Sequence, residues 1–196
     1  MSGSYLTNPI IFLISTLFGL YILAVLLRFL LQLVRADFYN PVSQFLVKAT
    51  NPPLKLMRRI IPGLGGIDLA SLILVWLLKS IEILLIILVS GSAVNLVAPL
   101  LWAIPELAEL LINIFFFSIL IQVILSWVSP GNYNPAIGLL YSLTGPVLRP
   151  AQKLLPPMGG LDLSPMLVMI GLFLLKMMLD PLRDFIDSPF ARLNVL

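Results

Sequence analysis

The sequence predicts an all-α membrane protein: four transmembrane helices built as two parallel tandem repeats, each with cytoplasmic amphipathic interfacial helices. Three observations lead there. Of the 196 residues, 60% are hydrophobic and 11% charged, with a mean hydropathy of +1.07, a composition suited to a bilayer rather than to water. Apolar runs long enough to cross the hydrocarbon core occur four times. A stretch of the chain also recurs without a gap at a shift of 94 positions, from Pro41 to Pro135.

The first run, Pro9 to Leu27, carries no charge and continues past Arg28 toward Val34. "MSGSYLTNP" before it lacks the basic start of a signal peptide, and no small-residue cleavage site follows, so this segment is expected to stay in the mature chain. The second run extends from Leu69 to about Ser90, the third from about Leu107 to Val128, and the fourth from Leu163 to about Leu179. Residues 90–106, "SGSAVNLVAPLLWAIPE", are broken by Gly91, Pro99 and Pro105. They read as an outer turn near the interface, with Trp102 in the aromatic belt and Pro105 opening the third helix.

Basic residues set the orientation. Arg28, Arg35, Lys48, Lys55, Arg58 and Arg59 fall between the first and second runs, Arg149 and Lys153 between the third and fourth, and none in residues 90–106. Both long loops should face the cytoplasm. The C-terminal tail, with Arg183 and Arg192 balanced by Asp184 and Asp187, gives little direction.

The repeat is carried by identities in order. Tyr39-Asn40-Pro41 matches Tyr133-Asn134-Pro135; Thr50 matches Thr144, Pro52 Pro146 and Leu54 Leu148; Pro62, Gly65, Gly66 and Asp68 match Pro156, Gly159, Gly160 and Asp162. Each unit is a helix, a cytoplasmic segment and a returning helix, so an even number of crossings makes the repeats parallel rather than inverted. The units divide the chain into residues 1–100 and 101–196.

Within the first cytoplasmic segment, Val42, Phe45, Leu46 and Ala49 share one helical face, away from Ser43, Gln44 and Lys48; Leu54, Met57, Ile60 and Ile61 do the same against Lys55, Arg58 and Arg59. This predicts short interfacial helices, the first opened by Asn-Pro and the second by a proline. Gly65-Gly66 then releases the chain. Asp68 stands just before an apolar run, where its carboxylate accepts the first free N–H groups and complements the positive end of the helix dipole. Asp162 repeats the arrangement, with Pro165 in the first turn.

At these residues the sequence resembles the YggT family, also called YlmG-like, of small bacterial and plastid membrane proteins built from one or two copies of such a unit. The second copy, "SWVSPGNYNPAIGLLYSLTGPVLRP...LLPPMGGLDLSP", follows the single-repeat pattern, and the first resembles it as "DFYNPVSQFLVKATNPPLKLMRRIIPGLGGIDLAS". Gln152-Lys153 departs from the two basic residues usual in the family, and Ala70-Ser71 from the usual Ser-Pro. The resemblance implies two YGGT repeats in a family with no established enzymatic activity. It also implies a link to envelope processes: osmotic or ion homeostasis, a genomic neighbourhood with cell division, and membrane-complex or haem-protein assembly in plastids.

Several polar residues lie where polarity is costly. Arg28, Gln32 and Arg35 form a narrow stripe at the end of the first helix, and their repeat partners Gln122, Ser126 and Ser129 form another. Either the arginines reach the headgroups while Gln and Ser bond between helices, or both stripes face a shared hydrated vestibule. Lys79 and Glu82 sit inside the second helix, Lys176 and Asp180 in the fourth. Unpaired charge there costs about 2.5–3.5 kcal/mol on insertion scales, so pairing is expected. It can be local, Lys79 with Glu82 and Lys176 with Asp180, or across the repeats, Glu82 with Lys176. Lys48, Lys55, Arg58 and Arg59 are expected to meet anionic lipid, each near-surface cation contributing about 1 kcal/mol. Glu106 and Glu109 are read as dipole complements at the start of the third helix.

The chain has no cysteine and no histidine, which removes thiolate chemistry, the usual general base and the commonest metal ligand. No phosphate-binding loop or nucleic-acid motif is present. The expectation is a non-enzymatic integral protein of the bacterial inner membrane, a scaffold or assembly factor with no cofactor and no metal. Its expected partners are anionic lipids and other membrane proteins, with a homo-oligomer among the options. The alternative is an oligomeric ion or small-solute channel or transporter component.

Overall fold

A computed structural model describes residues 4–92, 96–128, 134–155 and 162–191, with side chains described within 7–92, 96–128, 134–155 and 162–186. Helix α1 (Ser4–Leu33) is apolar on every side. It ends in a Schellman turn: the Ala36 N–H donates to the Leu31 carbonyl at 2.9 Å and the Arg35 N–H to Gln32 at 3.1 Å. Arg35 therefore occupies the left-handed region, with φ 53°, a position usually given to glycine.

Helix α2 (Pro41–Ile60) starts with the Asn40 side chain accepting from the Val42 N–H at 2.9 Å and Pro41 in the first turn. The two short helices expected here are one. Pro52 and Pro53 lie inside it, and lacking N–H groups they leave the Lys48 and Ala49 carbonyls without helical partners. Packing carries the helix through: Leu46, Thr50 and Leu54 are buried in a row on either side of the prolines. Helix α5 (Pro135–Leu154) repeats this, with Pro146 and Pro150 inside and Leu139, Leu143, Thr144 and Leu148 buried.

After α2 the chain turns through Gly65 and Gly66, at φ 60° and 86°, closed by a bridge between Leu64 and Ile67. That two-residue turn needs positive φ at both positions. Helix α3 (Leu69–Val89) follows, capped by Asp68.

Helix α4 (Ala98–Val128) begins earlier than expected. Pro99 takes the first-turn place that the sequence reading gave to Pro105, which instead lies buried inside the helix. Nearby, the Leu100 carbonyl accepts from Trp76 Nε1 at 2.9 Å, tying α3 to α4. The fourth span also differs from expectation. It runs as α6 (Ser164–Met177) and α7 (Leu179–Ala191), broken at Met178. Pro181 explains the break, because its ring crowds the Met177 carbonyl and it has no N–H to offer. The apolar span reaches Ile186, so Arg183 lies within it rather than in a tail.

Among the described residues, four helical stretches of 27, 21, 31 and 23 residues are long and apolar enough to cross a membrane. In the bundle α1 packs on α3, α3 on α4, and α4 on α6 and α7; α2 lies along α1 and α3, α5 along α4 and α6. Asn40 Nδ2 donates to the Pro135 carbonyl at 2.7 Å, so both connecting helices sit at the same end, as parallel repeats require. Ile22, Val25, Leu26, Leu74 and Val75 centre the larger core, joined by Ile114 from α4 and Leu139 and Leu143 from α5. A smaller core holds Ile119, Leu148 and Leu172.

Candidate functional site

Polar groups collect at the hinges into α3 and α6, at the junctions of the connecting helices with α1 and α4, and inside the bundle. At the first hinge, Asp68 is buried. It accepts from the Ser71 N–H at 3.4 Å and the Ser71 hydroxyl at 2.6 Å, and pairs with the Arg58 guanidinium from the end of α2. Burial pushes the Asp68 carboxyl up, but the Arg58 and Ser71 hydrogen bonds and the Arg58 charge outweigh it and hold the group below its ordinary value. At the second hinge, Asp162 accepts from the Ser164 N–H at 2.9 Å and from Gln152 Nε2 at 2.9 Å. Its carboxyl, raised by burial, is brought lower overall by the Ser164 and Gln152 bonds. Gln152 is the repeat partner of Arg58, so a neutral clamp replaces a charged one. Pro156, Gly159 and Gly160 lie outside the described residues, as does Ser129.

Each connecting helix is also fastened to the span before it. Arg28 is buried and donates to Thr50 Oγ1 at 2.8 Å, while Thr50 donates to the Leu46 carbonyl at 2.7 Å. The equivalent pair, Gln122 with Thr144, forms in the second repeat, and Thr144 Oγ1 lies 2.8 Å from the Leu140 carbonyl. Arg28 thus turns inward instead of reaching for headgroups. The rest of each stripe does not converge: Gln32 is half-buried, Arg35 is exposed, and the exposed Ser126 hydroxyl returns to the Val123 carbonyl at 2.7 Å.

Inside the bundle, Lys79 Nζ meets Glu82 at 3.1 Å and lies 4.0 Å from Glu106. Lys176 bonds neither Glu82 nor Asp180. It meets Glu109 at 2.8 Å and the Asn113 side chain at 3.4 Å. Arg183 bridges Glu109, Glu106 at 3.2 Å and Asp180 at 3.4 Å. Three cations, Lys79, Lys176 and Arg183, thereby face four carboxylates, Glu82, Glu106, Glu109 and Asp180, the seven groups drawn from α3, α4, α6 and α7. A cavity of about 270 Å³ beside them is lined by Ser15, Lys79, Glu82, Glu106, Glu109 and Asn113. No group of three or more His, Cys, Asp or Glu side chains is arranged to hold a metal among the described residues.

Two stretches, residues 7–89 and 101–183, each match the model of one family, CCB3/YggT. The chain belongs to the CCB3/YggT family. Its relatives include the uncharacterized protein PA0392 of Pseudomonas aeruginosa, 50% identical over 175 residues, covering 88% of this chain and 89% of that protein. The uncharacterized protein in the proC 3' region of Vibrio alginolyticus is 44% identical over 167 residues, 84% of this chain and 90% of its own. The uncharacterized protein YggT of Escherichia coli K12 is 40% identical over 171 residues, 87% and 88% respectively. No solved structure matches. Each YggT stretch runs from a span through its connecting helix to the returning span, so the hinge clamps, both threonine junctions and the charged cluster lie within the matched residues.

Reading the sequence of this YggT-family chain residue by residue missed the cluster's centre. Glu106 and Glu109 satisfied a local explanation, and Arg183 sat beyond the expected end of the last helix. The usable signal is charge of both signs in apolar runs: once Arg183 is placed in the span, Lys79, Lys176 and Arg183 share the bundle with Glu82, Glu106, Glu109 and Asp180. Thr50 and Thr144 were visible as an identity in the repeat, but their partners depend on how α2 lies across α1.

Proposed function

We propose that this YggT-family protein is a non-enzymatic scaffold or assembly factor of the bacterial inner membrane, acting in envelope processes such as cell division, osmotic or ion homeostasis, or membrane-complex assembly. Its connecting helices would lie on the cytoplasmic leaflet. The observation that carries this reading is the division of the basic residues of α2. Arg58 pairs with Asp68, whereas Lys48, Lys55 and Arg59 stay exposed. Those three cations share one arc of α2, beside the exposed apolar residues Phe45, Leu56 and Ile60. A rigidly clamped helix with a cationic edge and an apolar edge suits the headgroup boundary and presents a fixed surface to partner proteins. The paired charges inside the bundle support the same reading, because paired ions fix helices rather than open a path.

The cavity beside Glu82 favours a second reading, an ion or small-solute pathway formed by an oligomer. Purified protein in liposomes separates the two. The scaffold reading expects no flux above protein-free vesicles for any ion tested and retention of anionic lipid that weakens when Lys48, Lys55 and Arg59 become Gln. Flux that disappears with Glu82→Gln would establish the pathway instead. Sidedness is checked by labelling cysteines placed at 48 and 153, which should react from the same, cytoplasmic, face.

A further inference from the structure

The contact between the two repeats joins unlike surfaces. Repeat two contributes Leu107, Leu111 and Ile114 of α4 together with Leu139 of α5; all pack against a core made mostly of repeat-one residues. Repeat one receives them with α3, where Lys79 faces Glu106, and with α1 and α2, which contact α5. Because the repeats share one fold at a shift of 94 positions, each carries both surfaces, and a single chain uses one of each.

The unused surfaces are open. Leu20 is 62% exposed where its partner Ile114 is 7%, and Phe45 is 68% exposed where its partner Leu139 is 7%. Leu13 and Leu17, partners of Leu107 and Leu111, are exposed on the same side. On the opposite side, Ile170 and Phe173 of α6 stand where repeat one has Trp76 and Lys79. Phe173 is 58% exposed, whereas the Lys79 side chain is 19% exposed. The ion contact between Lys79 and Glu106 has its unused counterpart in Phe173 and Phe12, so the two free surfaces are matched in being apolar.

We infer that a second copy of this chain fills them. The α1 and α2 surface of one copy docks on the α6 surface of the next, repeating between chains the contact already made within one. Heterologous contacts close into rings where the rotation between copies closes and otherwise run on as open arrays, and parallel repeats are related about an axis along the membrane normal, so the free surfaces lie at the same depth and the assembly keeps every copy in one orientation. This partner is distinct from the envelope proteins that a scaffold would hold, and the assembly is tested without reference to them.

The chain has no cysteine, which makes crosslinking selective. Full-length Phe12→Cys and Phe173→Cys variants with different tags, co-expressed in a membrane, should crosslink to each other through a short bismaleimide. Either variant alone should not, because unlike surfaces meet. Leu56→Cys, exposed and partnered by the equally exposed Pro150, is the background control. The unaltered protein should run as an oligomer in native mass measurement from nanodiscs. Crosslinking of either variant with itself to the same extent as the mixture overturns the inference. So does a monomeric mass with no mixed product, which would leave lipid as the covering of both faces.

Discussion

In the first repeat α1 and α3 meet through Ile22, Val25 and Leu26 against Leu74 and Val75, all buried. In the second, α4 and α6 share a much smaller apolar contact around Ile119 and Leu172 and rely on Glu109 reaching both Lys176 and Arg183. The equivalent of Glu109 in repeat one is Ser15, whose hydroxyl returns to the Phe12 carbonyl of its own helix at 3.1 Å. Lipid is as apolar as leucine, so helices in a bilayer associate through close packing and polar contacts rather than by escape from water. Repeat one uses the first route and repeat two the second. A duplicated topology can therefore be kept while the means of holding it changes, provided each unit retains one of the two.

The comparison is broken most directly at Glu109. Glu109→Ala leaves Lys176 without its ion pair and Arg183 with only Glu106 and Asp180, and should loosen α6 and α7 by about 3 kcal/mol, read as faster hydrogen exchange in those helices with α1 and α3 unchanged. Ser15→Ala should leave exchange as it was. In the opposite direction, Leu26→Ala, at a fully packed site, should cost about 2–3 kcal/mol through the cavity it leaves. Leu120→Ala at the half-buried equivalent should cost clearly less in the same thermal unfolding series.

The hinges sharpen the contrast by exchange of residues. Arg58→Gln gives the first hinge the neutral clamp of the second and should cost about 1–2 kcal/mol, the loss of a charge-assisted bond to a buried carboxylate. Gln152→Arg should add at most about 0.5 kcal/mol, because Asp162 is exposed. The pH dependence has a fixed sign. Asp68 has a folded value below its unfolded one, so its contribution is present above the unfolded value and disappears as pH falls through the folded one. In Arg58→Gln that loss should begin at a higher pH, visible in the melting temperature between neutral and acid buffers. A small effect of backbone origin is expected at Arg35. Its φ of 53° strains a side-chain-bearing residue, so Arg35→Gly should be neutral or stabilising by up to about 1 kcal/mol in the same melts.

Much of this molecule is written locally. The four spans, the parallel repeats, the asparagine and aspartate caps and the glycine turn before Asp68 follow from apolar run length, an even number of crossings and residues whose backbone preferences act within one turn of helix. The hidden elements all depend on groups distant in sequence. The continuous α2 through Pro52 and Pro53 exists because buried Leu46, Thr50 and Leu54 hold it. Arg28 turns inward because Thr50 lies within reach, and Lys176 chooses Glu109 over the nearer-in-sequence Asp180 because α6 packs on α4. Periodicity fixes which residues share a face, but the energy of a charge in a low-dielectric bundle is set by what stands a few ångströms away. That neighbour is chosen by helix packing, which is why the sequence alone determined the glycine-aspartate hinge and the number of spans, and only the tertiary structure decided where the third and fourth spans begin and end and how the charges inside them pair.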